Sequence, residues 1–173
     1  MAEGKLYFAY GSNINLDQMA QRCPDAQVVG PVTLENYELL FRGNLRGAGV
    51  ATIAPSTVHG LLWNITPECE RSLDYYEGYP HLYGKEPVTV HGHDGQEHTV
   101  MAYVMTELCK EPSIPSFDYY NGILEGYRQN GLPTQPLKQA WEHCVEEVPR
   151  ETERINRSAC GQLSPRRKKD RGR

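Results

Sequence analysis

The chain carries the sequence KLYFAYGSN at residues 5–13. Residues 5–10 form a short apolar and aromatic run, which is typical of a buried strand. Gly11, Ser12 and Asn13 break this run, and residues 14–22 then place apolar side chains at helical spacing. The sequence therefore predicts a strand, a tight turn and a helix at the start of the fold.

Further strands are predicted in hairpin-sized pieces. They cover residues 37–42, 50–53, 58–65, 86–91 and 97–105. Because such short pieces pair with their neighbours through hairpins, the sheet should be largely antiparallel. Closure into a small mixed barrel would remove its open edges. Since helices lie between and after the strands, we expect an α+β fold.

Three more helices are indicated by start and stop signals. Thr66 and Pro67 supply an N-cap and a proline at the first helical position, so a helix should run from residue 67 to about residue 76. Gly78 provides a left-handed cap for its end, and Pro80 stops it. The other two helices are expected at residues 118–129 and 136–145.

The composition fits one globular domain. The 173 residues are 39% hydrophobic and 23% charged, which supports a sizeable core. No stretch approaches the roughly 20 apolar residues that span a bilayer, and the start of the chain lacks the apolar region of a signal peptide. The five cysteines show no Cys-x-x-Cys spacing and indicate reduced thiols. We expect a cytoplasmic protein without a membrane partner.

The charge is unevenly distributed along the chain. Residues 150–173 carry nine Lys or Arg and three acidic residues, whereas the whole chain has a net charge of −4. We therefore expect a globular domain over residues 1–149 and a basic, flexible tail over residues 150–173. Such a tail can contact nucleic acid or an acidic partner. The run contains no aromatic residue to stack on bases, which favours a solvated terminus over a nucleic-acid arm.

The turn after the first strand is one candidate site. Gly11 lets the backbone approach a ligand closely, and N–H groups at a turn and a helix start can bind a carboxylate or an oxyanion. Ser12 and Asn13 add side-chain donors. The alternative is an ordinary connection between strand and helix, in which Asn13 or Asn15 serves only as the N-cap.

Glu77 is a second candidate. It falls in the last turn of a predicted helix, where the negative end of the helix dipole raises the pKa of a carboxyl, and neighbouring tyrosines would raise this pKa further by desolvation. A glutamate with a pKa near neutrality suits general base chemistry. The alternative is a solvent-facing side chain at a frayed helix end. Asp74, three residues earlier, is either a second acid or a residue that orients the loop.

Other chemistries find little support. His91, His93 and His98 fall on a predicted hairpin that does not bring them onto one face, so no metal site is expected. The chain has no Gly-x-Ser-x-Gly, no Gly-x-Gly-x-x-Gly and no P-loop lysine. The absence of these motifs argues against a serine hydrolase and against nucleotide binding.

The chain resembles the γ-glutamylcyclotransferase family, including its AIG2-like members. The segments that carry the resemblance occur in the family's order: LYFAYGSN at 6–13, GVATI at 49–53, LDYYEG at 73–78, AYVMT at 102–106, and NGLP at 130–133 after a helix with Tyr119. The likeness covers about residues 5–145. It is specific because the Glu-Gly element and the later tyrosines stand in register with Tyr-Gly-Ser-Asn.

The resemblance implies a small β-barrel with flanking helices and a reaction that needs neither cofactor nor metal. A γ-glutamyl amino acid would be cyclised to 5-oxoproline with release of the free amino acid. Glu77 stands where the family has its catalytic acid/base. The remaining positions correspond to the family's substrate loop (Tyr10, Gly11, Ser12, Asn13 and Ile14) and to tyrosines that line its pocket (Tyr83, Tyr103 and Tyr119).

Three functions remain open at this point. The chain could act on γ-glutamyl amino acids, it could remove a γ-glutamyl group from an amine or a biosynthetic intermediate, or it could be a non-catalytic binding module of the same fold. Tyr75 and Tyr76 precede Glu77, and Tyr79 and Pro80 follow it, where relatives are less aromatic. The leaving group, including the Cys-Gly of glutathione, therefore stays undecided. The expected partner is a small γ-glutamyl compound, bound by a monomer or a homodimer.

Overall fold

Among the described residues, five strands form the centre of the structure. They are β1 (Lys5–Ala9), β2 (Gln27–Phe41), β3 (Gly49–Ile65), β4 (Tyr83–Gly92) and β5 (Glu97–Met105). In the computed structural model, which describes residues 4–43, 49–109 and 111–162, they close into a barrel in the order β1-β3-β2-β4-β5. β1 and β5 run parallel and the other neighbours are antiparallel. The predicted mixed, largely antiparallel barrel is confirmed.

In the part of the chain that the structure describes, four helices flank the barrel. They are α1 (Leu16–Arg22), α2 (Pro67–Glu77), α3 (Phe117–Gln129) and α4 (Gln135–Gln162), and short 3-10 turns occur at Ser12–Ile14 and Glu107–Cys109. α2 begins and ends as predicted, because Thr66 Oγ1 accepts the N–H of Cys69 at 3.1 Å and Gly78 adopts a left-handed φ of 66°. None of the described helices is long and apolar enough to cross a membrane.

β2 and β3 are longer than predicted. β2 begins at residue 27 instead of 37, and the predicted strands at 50–53 and 58–65 are parts of one strand. The two strands stay paired across a register shift, with Glu35 opposite Thr57 and Tyr37 opposite Ile53. Between them Asn36 has a φ of 65°, a conformation that Asn tolerates better than most residues. The interruption in the strand pattern is therefore a β-bulge within a continuous pair of strands.

α4 is also longer than predicted. It continues from the expected end at residue 145 to Gln162 and contains Pro149. The side chains of residues 152–158 are exposed, and Glu153 and Arg157 form an i,i+4 ion pair at 3.7 Å. The first part of the segment expected to be a flexible tail is thus helical, although it buries little. The rest of that segment, from residue 163 onward, lies outside the described residues, and the division of the chain at residue 149 stays a prediction.

α3 holds the turn that follows β1. Asn130 Nδ2 donates to the carbonyl of Ile14 at 3.0 Å, and Asn15 Nδ2 donates to the carbonyl of Gly122 at 2.9 Å. At Gly126 a Cβ atom would lie only 2.7 Å from the backbone nitrogen of Asn15. The absence of a side chain at Gly126 therefore lets the helix backbone touch the turn and fix its position.

This close contact predicts that Gly126→Ala destabilises the protein. Its methyl group would meet rigid backbone, and overpacking of this kind costs about 1–3 kcal/mol. Gly122→Ala is the matched control on the same helix, because the methyl group there meets the flexible Gln18 side chain. Alanine is favoured over glycine in a helix by about 1 kcal/mol, so this control should be neutral or stabilising. Urea denaturation measures the free energy of unfolding of both variants. Equal stabilisation by the two substitutions would contradict the close contact between Gly126 and the turn.

Candidate active site

A narrow cleft lies at the end of β1. Eight of the nine residues predicted for the site line it, together with one that was not predicted. The predicted residues are Tyr10, Gly11, Ser12, Asn13, Glu77, Tyr83, Tyr103 and Tyr119, and the additional one is Tyr7. The barrel brings these residues together from β1, the following turn, the last residue of α2, the first residue of β4, β5 and the first turn of α3.

Ile14 lies outside the cleft. Its side chain is fully buried in the core, and its N–H donates to the carbonyl of Gly11 at 3.1 Å. This bond is the first one made within the 3-10 turn. The N–H groups of Ser12 and Asn13 precede it, so the turn itself does not use them. These two amides are the better candidates for contacts with an anionic ligand group.

Asn13 connects the turn to Glu77. Its Oδ1 accepts Arg22 Nη1 at 2.7 Å, which fixes the orientation of the amide because only the oxygen can accept. Its Nδ2 then donates to Tyr7 Oη at 2.9 Å and to Glu77 Oε1 at 3.1 Å. The helix cap is Asn15, whose Oδ1 accepts the N–H of Gln18 at 3.0 Å. The open question about these two asparagines is thus resolved, since only Asn15 caps the helix.

Burial raises the pKa of Glu77 to about 7, although the charge of Arg22 and the hydrogen bond from Asn13 act in the opposite direction. Part of the Glu77 residue is exposed, but its carboxyl contacts Asn13, which is only 2% exposed. The desolvated part is therefore the carboxyl. The shift has the predicted direction, and its cause is burial, not the helix dipole that the sequence suggested first. A carboxyl with this pKa can take up or release a proton at neutral pH.

Arg22 supports the site from the end of α1. Beyond its bond to Asn13, its guanidinium lies 3.7 Å from the centre of the Tyr76 ring, and its Nη2 donates to Gln18 Oε1 at 2.9 Å. Its carbonyl accepts the Ser72 hydroxyl at 2.6 Å. The sequence indicated Arg22 only as the last residue of a helix, because its contacts lie across the fold.

Tyr7 belongs to the predicted buried strand, and the structure places it in the lining of the cleft. It is 3% exposed, and its hydroxyl oxygen accepts Asn13 Nδ2, which leaves its O–H to donate. Burial, followed by the negative charge of Glu77, raises the pKa of Tyr7 well above its ordinary value, so the hydroxyl keeps its proton. The available signal was the residue type, because a buried tyrosine requires a hydrogen-bond partner.

The remaining candidates are Tyr10, Asp74 and the histidines of the predicted hairpin. Tyr10 Oη donates to the carbonyl of Tyr103 at 2.6 Å, and Asp74 does not line the cleft. His91 lies within 4.0 Å of carboxylate oxygens of Glu35 and Glu97 on the barrel strands. Among the residues that the structure describes, no group of three His, Cys, Asp or Glu is placed to hold a metal ion.

Comparison with known proteins gives the family. The family model described as "Gamma-glutamyl cyclotransferase, AIG2-like" matches residues 7–121, which include every residue that lines the cleft. The chain belongs to this family.

Relatives within the family are similar over most of their length. A protein named gamma-glutamylcyclotransferase from Bos taurus is 35% identical over an alignment of 148 residues that covers 79% of this chain and 77% of the relative. The protein of the same name from Homo sapiens is 35% identical over 144 residues, covering 77% and 75%. A solved structure described as gamma-glutamyl cyclotransferase superposes with a TM-score of 0.72 at 29% identity, covering 80% of this chain and 86% of that one.

The raised pKa of Glu77 predicts a pH-dependent effect of Glu77→Gln on stability. The folded protein holds the Glu77 proton up to a pH of about 7, whereas the ordinary pKa is 4.5, so the wild type loses stability as the pH rises between these values. Glutamine does not titrate. In thermal unfolding, the melting temperature of Glu77→Gln relative to that of the wild type should therefore be higher at about pH 8 than at about pH 5.

Glu125→Gln provides the control for this measurement. Glu125 is exposed on α3, so the same substitution there changes no buried carboxyl. Its stability difference from the wild type should stay the same across this pH range. If Glu77→Gln and Glu125→Gln show the same pH dependence, the carboxyl of Glu77 is not desolvated.

Proposed function

We propose that this protein is a γ-glutamylcyclotransferase that converts a γ-glutamyl amino acid into 5-oxoproline and the free amino acid. The observation that carries the proposal is the carboxyl of Glu77, which has a pKa of about 7 and lies in a cleft with the Tyr-Gly-Ser-Asn turn. The relatives named gamma-glutamylcyclotransferase support an enzyme of this type.

The reaction requires little beyond positioning and proton transfer. The α-amine of the γ-glutamyl group attacks the γ-carbonyl carbon of the same group, so a C–N bond closes the five-membered ring and the C–N bond to the leaving amine breaks. Because the amine and the carbonyl belong to one substrate molecule, the amine is present at a high effective concentration. The α-ammonium must first lose a proton, and the leaving amine must gain one.

Glu77 is suited to both proton transfers. As a carboxylate it accepts the proton of the α-ammonium, and as a carboxylic acid it returns a proton to the departing amine. A group whose pKa lies close to the working pH is efficient in both directions. The pKa of about 7 thus favours one carboxyl that acts twice, and no second acid is needed.

Two sets of donors are available for the negative charges of the substrate. The N–H groups of Ser12 and Asn13 suit the α-carboxylate, since they stand ahead of the first bond of the turn. The O–H of Tyr7 suits the carbonyl oxygen that becomes negative during the attack, because Asn13 links Tyr7 directly to Glu77. Fixed donors of this kind stabilise a developing oxyanion.

The aromatic residues beside Glu77 favour one alternative within the same chemistry. Tyr76 and Tyr79 are 43% and 40% exposed, and they offer ring surface to an apolar amine as leaving group. The second candidate function is therefore the removal of a γ-glutamyl group from an amine. The buried free thiols Cys23, Cys69 and Cys144 agree with a cytoplasmic location, which we include in the proposal.

Release of 5-oxoproline from a panel of γ-glutamyl compounds tests the proposed function. The panel contains γ-glutamyl-alanine, glutathione and γ-glutamyl-ε-lysine, and Glu77→Gln is run alongside the wild type. We expect the wild type to release 5-oxoproline and the variant to lose at least about 100-fold in rate, because glutamine cannot carry a proton.

The preferred member of the panel distinguishes an amino acid from an amine as the leaving group. Turnover by Glu77→Gln at the wild-type rate would remove Glu77 from the mechanism. Silence of the wild type on every compound would leave a binding module of the same fold.

A further inference from the structure

A charged cluster lies behind the wall of the cleft. It consists of Lys5 (β1), Glu70 and Asp74 (α2), and Lys85 (β4). Lys85 Nζ lies 2.8 Å from Asp74 Oδ1 and 2.8 Å from Glu70 Oε1, and Lys5 Nζ lies 2.8 Å from the same Glu70 oxygen. The cluster reaches the cleft through Tyr103, whose hydroxyl is 2.5 Å from Asp74 Oδ1.

The proton in this short bond belongs to Tyr103. Asp74 is paired with the ammonium of Lys85, and an ionised carboxylate only accepts hydrogen bonds. Burial and the neighbouring carboxylate raise the pKa of Tyr103, so the tyrosine keeps its proton and donates it to Asp74. The short O···O distance is that of a bond between a hydroxyl and a charged acceptor.

Tyr103 therefore has no proton to give to a ligand in the cleft. A tyrosine carries one O–H, and here it is used by Asp74, so the oxygen can only accept. Tyr7, whose ring packs edge-on against Tyr103 at 5.6 Å, has the opposite polarity because its oxygen accepts from Asn13. Glu77 and Tyr103 can thus act as acceptors in the cleft, and Tyr7 can act as a donor.

We propose that Asp74 is a positioning residue that makes Tyr103 a hydrogen-bond acceptor for the α-amino group of the γ-glutamyl substrate. This inference rests on the proposed function and adds the group that orients the attacking nitrogen. The α-ammonium has three N–H donors and must give one proton to Glu77. A second acceptor in the cleft can hold the nitrogen while this transfer takes place.

Asp74→Asn tests the inference. The Asp74 oxygen that accepts from Tyr103 also contacts the Lys85 ammonium, so the oxygen of an asparagine can occupy the same place. As a neutral group it accepts the O–H of Tyr103 more weakly than a carboxylate does. The Tyr103 hydroxyl can then rotate and donate into the cleft, which weakens its role as an acceptor there. We expect kcat/KM for γ-glutamyl-alanine to fall about 10- to 100-fold, the range for one hydrogen bond to a charged group. Glu70→Gln is the matched control, because Glu70 shares Lys85 with Asp74 but does not contact Tyr103. It should change kcat/KM by less than about 3-fold.

Two further measurements separate positioning from a structural effect. Glutaryl-alanine, which is γ-glutamyl-alanine without the α-amino group, serves as a competitive inhibitor. Its inhibition constant should change by less than about 3-fold in Asp74→Asn, because it offers Tyr103 no ammonium. In a Tyr103→Phe background the additional effect of Asp74→Asn on kcat/KM should disappear, since the two residues act as one unit.

Three results would overturn the inference. Asp74→Asn could lose no more activity than Glu70→Gln, its effect could persist in the Tyr103→Phe background, or the inhibition constant of glutaryl-alanine could rise in parallel with the loss in kcat/KM. If Asp74→Asn does not fold, Tyr103→Phe carries the test, and unchanged turnover in that variant overturns the inference. Failure of the proposed function is distinct, because the wild type would then release no 5-oxoproline at all.

Discussion

The hydrogen bond from Asn13 to Glu77 is the interaction on which the site depends. It joins the turn after β1 to the end of α2, two segments 64 positions apart in the sequence. Arg22 orients the amide that makes this bond, and its positive charge limits the rise in the pKa of Glu77. The barrel positions Asn13, and the caps of α2 determine that this helix ends at Glu77.

Much of this arrangement follows from local signals in the sequence. Thr66, Pro67 and Gly78 determine where α2 begins and ends, because capping depends on a few neighbouring residues. The position of Glu77 in the last turn follows directly. The two long strands were harder to predict, since the bulge at Asn36 is stabilised by pairing with β3 and interrupts the local pattern. The length of α4 was underestimated because its exposed end carries little apolar patterning.

The polarity of the cleft could not be predicted from the sequence. Tyr7, Arg22 and Asp74 acquire their roles from partners that the chain brings together only on folding. A tyrosine donates or accepts according to what already occupies its hydroxyl, and no local pattern records this. The structure gives Tyr7 and Tyr103 opposite polarities within one cleft. Tyr7 can donate to the carbonyl oxygen, which becomes negative when the amine attacks the carbonyl. Tyr103 can accept from the α-amino nitrogen, which loses its positive charge.

The central claim is that Glu77 changes its protonation state near neutral pH. Infrared spectroscopy tests it directly, because a protonated carboxyl has a carbonyl stretching band that a carboxylate lacks, and the difference between the wild type and Glu77→Gln isolates the band of Glu77. The account predicts that this band disappears with a midpoint at a pH of about 7. A midpoint near the ordinary glutamate pKa of 4.5 would contradict it, since Glu77 would then be solvated and permanently ionised at neutral pH.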